Sequence, residues 1–509
     1  MARRDAASAA GIADPMSATA ADRDAGIGGG RLAAVAACLV PAAYFAAVAG
    51  FALVHAEDYA ADLPRLARYV LAPGAIALTL AAAALRLSPR KALVAGTSAT
   101  AMLCALFAFE AVLTVRGLQA SLGTVGDARL KGDDTRFRSA LPPTYTLKAL
   151  NASLGVRRLD AALLGSAPHV DVLLCARGGV PVTYRADRYG FNNDDAAYDR
   201  PVRTLVLGDS FVEGMCLPRR EALLGQLARL TDGTIGLGTR GAGPLVHLAT
   251  LGRYGPKLKP RTTVITFFAG NDWENLANER TMPWLRPALA RDATFGPPKT
   301  EPAMLRRARA QVAGWWTKAD RGIGEVFARR KVVRNFLALQ QTALHLGLHY
   351  PKAQPDLPEF EQILRRMREI AAGWDGGVVL VYVPPVDRYA GVLDARFVHD
   401  RLRHRVLAAS GRADVPVIDL AAAFDGHENP NGLYAPDSHF STAGAKMAAR
   451  VIADGVARAT QAASAVRPRP ASQPADHPPA DHPPANQVPA DHATTVTPAS
   501  VRLALGRSR

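Results

Sequence analysis

Cysteine is scarce in this chain, with 4 among 509 residues, too few for a disulfide framework. None is spaced C-x-x-C, so a structural zinc site of that kind is excluded. Also missing is any basic run interleaved with aromatic residues. The formal net charge is +16, yet the arginines are scattered, which excludes a nucleic-acid partner. The excess charge reads instead as a solvated basic surface or one attracted to anionic lipid or polysaccharide. Two stretches lack the apolar content a core needs. Residues 1–31 show no periodicity and are expected to be a disordered cytoplasmic tail. Residues 461–509 are rich in Pro, Ala and His, repeat Ala-Asp-His, and are likewise expected to be disordered.

What is present in quantity is uncharged apolar sequence. Leu32 to Val54 carries no charge, Tyr69 to Leu87 is a second apolar run whose one charge is Arg86 at its end, and Ala92 to Val115 is a third, with Glu110 near its far end. Each is long enough to cross a bilayer, so residues 32–117 are expected to form three transmembrane helices. A cleaved signal peptide is disfavoured because its apolar region spans only about 7–15 residues. Arg3, Arg4, Arg23 and Arg31 precede the first run, and Arg86, Arg90 and Lys91 crowd the loop between the second and third. Positive-inside bias puts both in the cytoplasm, and three crossings deliver everything after Arg116 to the other side. The expected location is a bacterial inner membrane, with the large domain periplasmic or extracytoplasmic. Cys175 and Cys216 then lie in an oxidising compartment, either bonded to each other or as two separately buried thiols.

Residues 118–200 read as a polar lead-in with strand-like pieces at Val170–Leu174 and Val180–Tyr184. From 201 to 460 apolar strands alternate with helical periodicity. The strands are Thr204–Leu207, Thr234–Leu237, Val264–Phe268, Val378–Val383 and Val415–Ile418. The helical segments are Glu221–Leu230, Met304–Trp316, Phe360–Ala372, Ala395–Ala409 and Ala443–Ala457. Such alternation builds a parallel sheet with helices on both faces. The gap of roughly 100 residues between the third and fourth strands exceeds an ordinary crossover. A helical insertion or lid is therefore expected at about 273–375, serving substrate recognition or packing.

Thr204–Leu217 organises the rest. A buried strand runs into Gly208-Asp209-Ser210, and helix-compatible sequence follows. That turn would expose the Ser210 hydroxyl at the mouth of a sheet, with helix N–H groups aimed at what it attacks. Three later stretches add the other parts of a nucleophile's machinery. Thr234–Gly241 carries G-x-G-x-x-G (Gly236, Gly238, Gly241), but Arg261-Thr262-Thr263 stand where a dinucleotide site needs an acid, so its turn is read as bringing the Gly241 N–H to an oxyanion. Val264–Asp272 ends in Gly270-Asn271-Asp272, where Asn271 offers a neutral donor. Tyr434–Ala445 holds Asp437 and His439, the histidine as base and the aspartate fixing its tautomer.

These four stretches, in this order, resemble the SGNH (GDSL-like) hydrolase superfamily over about residues 201–458. The resemblance implies an α/β/α sandwich of SGNH or flavodoxin-like type, with Ser210 as nucleophile, Asp437 and His439 completing the triad, and Ser210, Gly241 and Asn271 as oxyanion donors. Three departures stand out. Phe211 replaces the usual leucine, Gly236 stands where many members carry asparagine, and the last block is Asp-x-His, as in relatives that acylate or deacylate exopolysaccharides. The implied function is a membrane-anchored serine esterase removing acyl groups from a cell-envelope substrate, needing no metal or cofactor. Its expected partners are the lipid bilayer and an acylated glycan or lipid. The alternatives are an O-acyltransferase for envelope polysaccharide, working with a membrane acyl-transfer partner, and a non-catalytic glycan-binding module.

Overall fold

The computed structural model describes residues 15–126, 137–177, 180–317, 331–352, 354–393 and 395–466. The expected C-terminal disordered tail lies almost wholly outside them, as do residues 1–14. From Pro15 the chain is already helical and runs unbroken to Val54, so the N-terminal tail expected to 31 is shorter. Proline at the first helical position and a run of alanines favour that start.

Three helical stretches are long and apolar enough to cross a membrane: Gly30–Val54, Leu63–Arg86 and Pro89–Arg116. The second begins before the expected Tyr69, because Asp62 caps its start by accepting from the Arg65 N–H. Its first turns widen into a π-helix at Leu66–Leu71.

Two sheets follow. Strands β1 (Asp171–Arg177) and β2 (Val180–Arg185) form an antiparallel hairpin. The main sheet contains β3 (Thr204–Gly208), β4 (Thr234–Gly238), β5 (Thr262–Phe268), β6 (Gly377–Val383) and β7 (Val417–Asp419). Its five strands are all parallel, in the order β4-β3-β5-β6-β7. The reason is visible residue by residue. Successive side chains of a strand point to opposite faces, and here both faces are apolar. Leu205, Leu207, Ile265, Phe267, Leu380 and Tyr382 enter one core. Val206, Val264, Val379, Val381 and Val383 enter the other. Helices Pro244–Leu258 and Glu359–Ala372 cover the first face, and Thr442–Val466 covers the second.

The lead-in is more than a linker. Leu159, Ala162, Leu164 and Phe191 belong to the first core. Asn193 closes the free edge of β4, donating to the Gly236 carbonyl and accepting from the Gly236 N–H. Gly236 itself leaves room for Leu224, whose Cδ1 would lie 1.8 Å from a Cβ there. Cys175 and Cys216 are joined by a disulfide, which settles the open alternative.

The insertion does not form one body. Trp273 and Trp284 are buried in the first core, Trp315 stacks on Tyr145, and Trp316 donates to the Ala140 carbonyl. The stretch 331–352 instead bonds to the apolar helices: the Gln341 and Thr342 N–H groups donate to Glu110, and Tyr44 Oη donates to the Leu337 carbonyl.

Candidate active site

Strand β3 ends at Gly208, and the chain turns at once into the short helix Ser210–Glu213. Asp209 caps that helix, its carboxylate accepting from the Phe211 N–H at 3.0 Å. Gly214, with φ of 90°, ends it after one turn. Three bonds from outside the turn fix its position. Asn192 donates to the Glu213 carbonyl at 2.8 Å, and Tyr184 Oη donates to Glu213 Oε1 at 3.1 Å. Arg240 completes the set with a buried ion pair to Glu213, 2.6 Å from Nη2 to Oε1. The disulfide at Cys216 ties β1 to the same place. Sequence reasoning missed Glu213, Arg240, Asn192 and Tyr184. The one available signal was an acid three residues beyond Ser210 in otherwise apolar sequence.

The structure brings Ser210 and His439 into direct contact: Oγ and Nε2 are 2.8 Å apart across 229 residues of chain. Ser210 is buried, 8% exposed, just past the end of β3. Phe211 packs its ring on His439 at 5.0 Å, and Phe268 and Phe440 pack on Phe211. An aromatic in place of the usual leucine thus supports the imidazole from one side.

Asp437 lies beside the other ring nitrogen, Oδ2 at 3.6 Å from Nδ1. That is too long for a hydrogen bond and close enough to stabilise a charged ring. The second carboxylate oxygen folds back to accept the His439 main-chain N–H at 3.2 Å. This is an Asx turn, and it accounts for the Asp-x-His spacing: two residues bring the carboxylate round to the backbone of its own loop. Ser438 between them takes a left-handed conformation, φ of 70°.

Gly241 and Asn271 are held on neighbouring turns. Thr239 N–H donates to the Gly208 carbonyl at 3.2 Å, which pins the turn carrying Gly241 to the turn carrying Ser210. Gly241 has φ of 72°, a conformation that side chains disfavour. Asn271 stands at the N-terminus of the helix Asp272–Glu279 without a side-chain capping bond, and its amide lies near the Asp209 carboxylate.

Two carboxyls are buried behind this rim. Burial pushes Asp209 up, opposed by the Phe211 N–H, the nearby His439 and the Asn271 amide. Asp272 goes well above the carboxylate range, by burial first and then by the charge of Asp209. His247, packed near the Gly208 carbonyl, is pulled from 6.5 to about 3 by burial, with Lys148 adding to the effect.

The model of the GDSL-like Lipase/Acylhydrolase family matches residues 206–447. Among solved structures, a lipase/acylhydrolase from Enterococcus faecalis is similar at 16% identity, covering 53% of this chain and 100% of that one, with a TM-score of 0.27. A GDSL-like lipase from Bacteroides thetaiotaomicron is 15% identical over 52% of this chain and 90% of that one, TM-score 0.27. A member of the lipolytic G-D-S-L family from Veillonella parvula is 12% identical over 50% and 98%, TM-score 0.27. No curated protein matches the chain.

Proposed function

The chain carries a GDSL-like lipase/acylhydrolase domain over residues 206–447, and on that premise we propose a membrane-anchored serine esterase acting on a cell-envelope substrate outside the cytoplasm. The observation that carries the mechanism is the 2.8 Å contact of Ser210 Oγ with His439 Nε2. Ser210 attacks the ester carbonyl while His439 takes its proton. The N–H groups of Ser210 and Gly241 and the side chain of Asn271 receive the charge that develops on the carbonyl oxygen. His439 passes its proton to the leaving alcohol, then activates water to release the acid from Ser210. Asp437 stabilises the imidazolium through its charge. Placement outside the cytoplasm rests on the cationic residues that flank the first and second apolar runs and on the odd number of crossings.

Hydrolysis of p-nitrophenyl acetate by the full chain in detergent tests this reading. Turnover is expected to fall to background in Ser210→Ala with the fold intact. Unchanged turnover in that variant overturns the assignment.

A further inference from the structure

We propose that the mouth of this site opens at the membrane surface, and that its substrate is an acyl ester whose hydrophobic part lies in the leaflet on the domain's side. This rests on the Ser210 reading and on the three helices crossing a bilayer. A hydrocarbon core is about 30 Å thick and a helix rises about 1.5 Å per residue. Counted from Arg86, at the inner end of its span, Tyr69 stands about 25 Å up. Counted from Arg90, Glu110 stands about 30 Å up. Two independent helices thus mark levels within about 5 Å of each other, close to the boundary facing the domain.

The chain between Gln341 and His349 is bonded along that level. Glu110 accepts from the Gln341 and Thr342 N–H groups at 3.0 and 2.7 Å. Arg68 donates to the Gly347 carbonyl at 3.2 Å, and Tyr69 Oη donates to the His349 carbonyl. Beside it runs the loop that follows β6, with Leu393 N–H donating to the Leu346 carbonyl at 3.0 Å. Here apolar side chains face outward: Val392 is 85% exposed, Leu393 48% and Leu346 42%. Their continuity with the spans, at the depth where interfacial residues enter the leaflet, identifies lipid as what covers them.

The same two segments lead straight to the catalytic rim. The loop after β6 leaves the carboxyl end of that strand, the edge on which Ser210 sits, and the other segment lies in the long connection between β5 and β6. Three residues beyond His349, Lys352 donates to the Gly270 carbonyl at 2.8 Å, next to Asn271. That stretch of chain spans at most about 11 Å. An ester held in the leaflet thus lies one short stretch of chain and a lysine side chain from the turn that carries Asn271. Oγ bonds to the acyl carbon as the alcohol departs with the proton from His439, and water then cleaves the acyl–serine bond to give the acid.

The test uses the full chain in vesicles of phosphatidylcholine and phosphatidylglycerol with two probes sharing one leaving group, umbelliferyl oleate and water-soluble umbelliferyl acetate. In V392D/L393D, oleate turnover is expected to drop by about tenfold or more, from loss of apolar contact, with acetate turnover kept. Both rates unchanged, or acetate hydrolysed by the parent and oleate not, overturns the proposal and leaves the esterase intact. Should the aspartates lower the acetate rate too, V392S/L393S is read by the same ratio. Acetate hydrolysis that survives Ser210→Ala defeats the esterase reading itself.

Discussion

The sheet domain and the segment that seats it on the apolar helices hold together by opposite means. In the sheet, backbone groups satisfy one another along parallel ladders, and Leu205, Val206, Ile265 and Val379 supply the two cores. Between residues 331 and 352 the roles reverse: single polar side chains on apolar helices bond to individual main-chain groups. Glu110, Tyr44, Arg68 and Tyr69 all do this. The sheet tolerates exchange of one apolar side chain for another of similar volume. The docking segment depends on individual atoms, so deleting one strands a buried donor or acceptor. The turn that carries Asn271 is bonded to both, following β5 in the sheet and accepting from Lys352 at its Gly270 carbonyl.

Substitutions in each region sharpen that contrast. The largest effect belongs to the rim. Asn271→Ala is expected to lower kcat by about 10²–10³ through loss of an oxyanion donor, with little change in KM. Steady-state hydrolysis of p-nitrophenyl acetate measures it, and a wild-type kcat would remove Asn271 from the site.

Next comes the docking segment. Glu110→Ala leaves the Gln341 and Thr342 N–H groups without their acceptor and is expected to destabilise this segment by about 1–3 kcal/mol. Amide exchange in the full chain should quicken at residues 340–346 and stay slow in β3 and β5. Equal protection in the variant would show that the docking does not depend on this carboxylate.

At neutral pH the smallest effect lies inside the sheet domain, and it grows only as the pH falls. His247 binds its proton at 6.5 when unfolded and at about 3 when folded. Between those values the unfolded chain holds more protons, so stability rises with pH there and is lost as pH falls toward 3. The slope contributed is at most about 1.4 kcal/mol per pH unit. His247→Phe should flatten the fall of Tm between neutrality and pH 4, and an unaltered slope would locate the acid sensitivity elsewhere.

Much of this was legible in the chain itself, for reasons that differ by region. The strands were, because parallel sheet buried on both faces leaves uninterrupted runs such as Val378–Val383. The helix Pro244–Leu258 was not. Gly252, Gly255 and Pro256 read as breakers, whereas the two glycines lie against the rings of Phe295 and Trp374, and tertiary packing outweighs local propensity. Ser210 was legible at the end of a strand, and His439 in a polar loop just before the last helix. The supports at Glu213 and Arg240 were not, since a buried ion pair looks in sequence like two surface charges. The membrane seat escaped for a related reason. Glu110 reads as a blemish in an apolar run until its partners, 231 and 232 residues away, are seen.

The most direct measurement is covalent. Intact-mass and peptide analysis of the full chain after exposure to a fluorophosphonate asks whether Ser210 is a nucleophile activated by His439. The expected result is a single adduct on the peptide containing Ser210, absent in Ser210→Ala and strongly slowed in His439→Ala. An adduct on another serine, or labelling of Ser210 at an unchanged rate without His439, would contradict it.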